Sequence, residues 1–92
     1  MSDPTVSIEA FRNNAFIDAV KQSDLRPLQK LNLRGLYLVP RLRSAIDDYI
    51  TELASAAGHD VSTMANGDLI KFIIEHLPEI IAFIELLIGL FG

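Results

Sequence analysis

No cysteine occurs among the 92 residues, which excludes a disulfide framework, a thiolate metal site and a cysteine nucleophile. No strand-like alternation and no internal repeat interrupts the chain. GxSxG, HExxH and a glycine-rich phosphate loop are all missing, so the common hydrolytic, metalloprotease and nucleotide-binding signatures are absent. The opening MSDPTVSIEAF has no basic region followed by an apolar run, and neither a secretory leader nor a lipidation signal is expected there. A cytoplasmic location, or one inside a particle assembled there, follows as the expectation.

Basic charge is also scarce where it would balance the acids. Residues 44–92 carry Lys71 alone against eight acidic side chains, a balance of −7. Residues 1–43 carry seven basic and four acidic side chains, a balance of +3, and the two sums return the net −4. Such polarity can orient one copy against another or turn one end toward an anionic surface. Solvated faces that merely differ are the simpler explanation.

What the chain does have is apolar surface: 50% of its residues are hydrophobic and its mean hydropathy is +0.31. This is one domain's worth of chain, in which folding hides only about 60–65% of the surface exposed in the unfolded state. Proline, glycine and periodicity divide it into an all-α fold of four helices. Asp3 and Pro4 start the first, which runs to Lys21 with Val6, Phe11, Ala15, Phe16, Ala19 and Val20 on its inner face. A short second helix is expected over Pro27–Arg34, stopped by Gly35, with Leu28 and Leu31 inward. Leu36–Val39 then reads as an extended link before Pro40.

The third helix is expected over Pro40–Ala57 and closed by Gly58. Leu42, Ala45, Ile46, Tyr49, Ile50, Leu53 and Ala57 face inward there, and Asp47, Asp48, Thr51, Glu52 and Ser55 outward. A polar loop, His59–Gly67, leads to Asp68 as the N-cap of the last helix.

Fifteen of the last 25 residues, 68–92, are large and apolar. At about 100° per residue, Asp68, Lys71, Glu75, Pro78, Glu79, Ala82, Glu85 and Gly89 share an arc of roughly 120°. The remainder is apolar, and the stripe repeats every seven residues, a spacing that favours packing against neighbouring helices. Pro78 must either bend this helix or divide it. An unbroken helix would outreach its partners and leave its LLIGLFG end uncovered, as interfaces are. A lone membrane span is near break-even, since roughly −4 to −9 kcal/mol from the apolar side chains is opposed by about +3 for Glu79 and smaller costs for Glu75 and Glu85.

The domain reading is therefore a three-helix head, 1–67, and an apolar helix, 68–92, for oligomerisation, docking or membrane association. Its association face comprises Leu69, Ile70, Ile73, Leu77, Ile80, Ile81, Ile84, Leu87, Ile88 and Phe91. A basic patch is formed by Arg26, Lys30, Arg34, Arg41 and Arg43. Because the domain is acidic overall, nucleic acid is disfavoured as their target, and an acidic neighbouring copy or a headgroup layer suits them better. His59 and His76 lack matched ligand spacing, and Glu75, Glu79 and Glu85 lack the cleft that general acid–base work requires. No catalytic residue, metal or cofactor is expected.

The expected function is a non-enzymatic structural subunit, acting as a homo-oligomer or as one component of a larger particle such as a virion. The alternatives are a small membrane-anchored or membrane-perturbing protein with one C-terminal span, and a soluble helical domain that binds another protein's helix.

Overall fold

The all-α expectation holds in the computed structural model, which describes residues 15–91 (Phe91 by its backbone alone) and contains five helices and no strand among the described residues. The first, α1, is followed over residues 15–22. Ala15, Phe16, Ala19 and Val20 on it are fully buried, as their spacing requires. Asp3, Pro4, Val6 and Phe11 lie outside the described residues. Ser23 closes α1 by donating its hydroxyl to the Val20 carbonyl at 2.7 Å.

Helix α2, Pro27–Tyr37, starts with proline at its first position, where a missing N–H costs nothing. It does not stop at Gly35. It continues one turn further because Tyr37 has much to gain there. The Tyr37 ring stacks on Phe16 with centroids 4.6 Å apart, and its hydroxyl donates to Asp47 Oδ1 at 2.5 Å. That bond also explains why Asp47, expected outward, is buried on α3: a carboxylate tolerates burial when donors reach it.

The inward face of α2 is thus Leu33 and Tyr37. Leu28 and Leu31, expected inward, are exposed. Only Val39 is extended, with φ −76 and ψ 118, as the residue before Pro40 must be.

Helix α3, Pro40–Ala56, buries Leu42, Ile46, Ile50 and Ala54; Ala57, expected inward, lies past its end and is exposed. Gly58 ends it at φ +86, in the left-handed region that a glycine adopts without penalty. The His59 amide reaches the Ala54 carbonyl at 2.8 Å and the Gly58 amide reaches Ser55 at 3.0 Å, the paired bonds of a Schellman ending. In the following loop Asp60 accepts from the Ser62 hydroxyl at 2.7 Å and its amide at 2.9 Å, while Val61 is buried and anchors the loop to the core.

The last 25 residues form two helices. Helix α4, Asn66–Glu75, begins two residues before the expected Asp68 cap, and Asp68 instead lies in its first turn, where its charge favours the helix dipole. Helix α5 is Leu77–Phe91. His76 is the joint: its amide closes α4 on the carbonyls of Phe72 and Ile73, and its own carbonyl accepts the first α5 bond, from Ile80. Pro78 is the cause. In an unbroken helix it could not donate to Ile74 and its ring would crowd that carbonyl, whereas near the start of a new helix no donor is required.

Helix α3 packs between α2 and α5, and α5 also packs against α4. The side chains most fully enclosed are Phe16, Val20, Ile46, Leu69, Ile73, Ile80 and Ile84. They come from α1, α3, α4 and α5, so the segments on either side of residue 67 build one hydrophobic core.

Candidate interaction surface

Breaking the tail at His76 changes where its apolar side chains go. Leu69, Ile70 and Ile73 of α4 and Leu77, Ile80, Ile84 and Leu87 of α5 are buried in the chain's own core. Ile81 is half-buried against the same cluster. Of the ten residues expected to meet a partner, Ile88 alone is substantially exposed, at 42%, and the side chain of Phe91 lies outside the described residues. With the break at His76, both halves of the tail place side chains in the core.

The polar stripe is where the spacing put it. Asp68, Lys71, Glu75, Pro78, Glu79, Ala82, Glu85 and Gly89 are all exposed. Beside it, however, Leu86 is 62% and Leu90 73% exposed. Their exposure is set by angle. The buried residues of α5, at positions 77, 80, 84 and 87, share an arc of about 80°. Leu86 and Leu90 lie roughly 140° and 100° from its centre, next to Ala82 and Gly89 on the outer side. Phe83 lies between the two arcs and is held half-buried by stacking on Tyr49 of α3, with ring centroids 4.1 Å apart. The outer edge of α5 therefore exposes two leucines, with Ile88 on the opposite flank, among small and acidic residues.

Helix α2 carries a second exposed apolar surface, where Leu28 and Leu31 were expected inward. Leu28 is 70%, Leu31 63% and Leu38 73% exposed. With Gly35 they recur at intervals of three, four and three residues, a continuous stripe opposite Leu33 and Tyr37. Leu31, Gly35 and Leu38 line a shallow groove of about 370 Å³ together with Ile17 and Arg34. A Cβ placed on Gly35 would meet no atom within 4 Å, so the groove floor is open to close approach.

Of the five expected basic-patch residues, Arg26, Arg34 and Arg41 are exposed, while Lys30 and Arg43 are half-buried. Lys30 has a structural task, since its Nζ donates to the Lys21 carbonyl at 2.8 Å, satisfying a carbonyl at the end of α1. Arg34 stands on the rim of the α2 groove.

A polar cleft of about 300 Å³ lies between the loop and α4, lined by His59, Met64, Asp68, Lys71, Phe72 and Glu75. Its chemistry is that of packing. His76 Nδ1 sits 2.9 Å from the Phe72 carbonyl, so the Nδ1–H tautomer donates to it. The Phe72 ring stacks on His76 at 4.2 Å and meets the edge of His59 at 5.9 Å. No metal-holding group of three acidic or histidine side chains occurs among the described residues. The hydroxyl of Ser62, and then its amide, hold the exposed Asp60 carboxyl below the ordinary 3.8, a loop-fixing arrangement.

No helix among the described residues is long and apolar enough to cross a membrane. Comparison with protein-family models, with curated proteins and with solved structures gives no match.

Proposed function

We propose that the protein is a non-enzymatic assembly subunit that associates with other protein molecules through the outer edge of α5. The observation that carries this reading is the exposure of Leu86 and Leu90 on a helix whose opposite side is core. Placing a large apolar side chain in water forgoes about 1.5–3 kcal/mol that burial would return, and here the two exposed leucines adjoin, one turn apart. Such a patch is what a partner covers.

Protein suits the patch better than a lipid interior. Helix α5 has 15 residues and spans about 22 Å, short of the roughly 30 Å of a hydrocarbon core. Glu79 and Glu85 on its exposed side would add the cost of taking carboxylates into lipid. A subunit of a larger particle accords with a surface left for neighbours to complete.

The test uses the full chain and a Leu86→Gln/Leu90→Gln variant, both purified without detergent, with mass measured across a concentration series. Concentration-dependent mass for the unaltered chain and a monomer for the variant are expected. A chain that stays monomeric at every concentration, or is recovered only with membranes, overturns the reading.

A further inference from the structure

The sequence separates its charges in a way that the two apolar surfaces of the fold make specific. Between residues 25 and 46 stand Arg26, Lys30, Arg34, Arg41 and Arg43 and no acidic residue. Between residues 72 and 92 stand Glu75, Glu79 and Glu85 and neither lysine nor arginine. The first interval contains the exposed α2 stripe; the second contains the exposed edge of α5. We propose that the α2 groove is the socket for the outer edge of α5 from a second copy of this chain, a head-to-tail contact. The proposal rests on the association role of α5 argued above and adds the identity of its partner surface.

Shape and charge both support that pairing. Leu28 to Leu38 extends about 15 Å along α2, and Ala82 to Leu90 about 12 Å along α5. Each surface sets leucines beside a small residue, Gly35 on one and Gly89 on the other, and neither glycine has an atom within 4 Å of where a Cβ would stand. Large side chains of each helix can therefore enter the gaps of the other, as ridges enter grooves. Arg34 on the groove rim is of the sign required by Glu79, which shares the leucines' face of α5 about two turns before Leu86.

Like surfaces pair badly by comparison. Two α2 stripes would bring cations against cations, and two α5 edges acids against acids, and juxtaposed like charges oppose docking. Exposed ion pairs add little affinity of their own, but they fix the polarity of the contact. Because the two surfaces differ, the contact is heterologous and each docked copy leaves one socket and one edge free. Repetition gives a ring or an open filament.

Complementary blocked variants provide the test. One carries Leu31→Gln and Leu38→Gln, which spoils the socket; the other carries Leu86→Gln and Leu90→Gln, which spoils the edge. All four positions are exposed and glutamine is a good helix former, so both variants should fold, with circular dichroism as the check. Each alone is expected to stay monomeric, with association weakened at least about a hundredfold. Mixed, they should give a capped dimer of twice the monomer mass by sedimentation, since one still has an edge and the other a socket.

Self-association of the socket variant alone would mean that α5 pairs with α5: the head-to-tail inference would fall while the role of α5 stood. Self-association of the edge variant alone would assign the contact to α2 and overturn both. Two monomers that ignore each other, although the unaltered chain associates, would likewise overturn the inference.

Discussion

Two neighbouring residues of α5 should respond in opposite ways to the same truncation. Ile84 is 1% exposed and Leu86 62% exposed, although both belong to one apolar run. Ile84→Ala removes three buried carbons, worth about 2.5 kcal/mol at roughly 0.8 kcal/mol each. The residual cavity between α3 and α5 adds to this, for a total of about 3–4 kcal/mol, inside the roughly 2–5 kcal/mol seen for such truncations. A chain of this length has about 5–14 kcal/mol of total stability, so the loss is a large fraction of it. In thermal unfolding it should lower Tm by about 15–25 °C.

Leu86→Ala, measured at a concentration where the chain is monomeric, should change stability by no more than about 0.5 kcal/mol. What Leu86→Ala should abolish is the dependence of Tm on protein concentration, which follows from any partner that binds only the folded form. Urea denaturation at low and high concentration checks both variants. If Ile84→Ala proves as mild as Leu86→Ala, the tail is not part of the core and the packing of α5 on α3 is wrong.

Three further outcomes are expected. Tyr37→Phe removes a donor from the buried Asp47 carboxylate and should cost about 1–3 kcal/mol in urea unfolding, far more than a surface tyrosine would. Gly58→Ala meets no atom within 4 Å, so its penalty is purely conformational; at φ +86 it should destabilise by about 1 kcal/mol, read from the same assay. Because the folded-state pKa of Asp60 is depressed, its contribution is present above the ordinary carboxylate pKa and is lost as pH falls through the folded value. The stability gap between the unaltered chain and Asp60→Asn, whose side chain stays neutral, should therefore be widest near neutral pH and close as pH falls through the folded value, read by urea unfolding at stepped pH.

The polar stripe of the tail was legible residue by residue, because acidic side chains seven apart leave few alternatives. The interior of α3 was nearly so, apart from Asp47. Its burial depends on Tyr37, ten residues away, and no periodicity within α3 can show that. The exposure of Leu28 and Leu31 has a definite cause. Helix α2 and its C-cap carry two apolar sets, Leu33 with Tyr37 and Leu28 with Leu31 and Leu38, and a helix that stopped at Gly35 would leave Tyr37 outside it. The Phe16 stack and the Asp47 bond, both tertiary, decide which set turns inward.

The tail differs from its sequence expectation for a related reason. Its apolar circumference is visible in the sequence, but a straight helix could not be sheltered by the rest of the chain, and the break imposed by Pro78 lets two shorter helices share one core. The core seam at positions 77, 80, 84 and 87 was present in the sequence as a three-four-three spacing, hidden among other leucines and isoleucines at 81, 86, 88 and 90.

Backbone amide shifts followed by NMR from dilute to concentrated protein test most directly whether the surface this fold leaves uncovered is the one that associates. Concentration-dependent shifts clustered on residues 82–90 of α5, accompanied by a second cluster on residues 28–38, are expected, with the loop of residues 57–65 unchanged. Spectra that do not change with concentration, or changes centred on α4 and that loop, would contradict it.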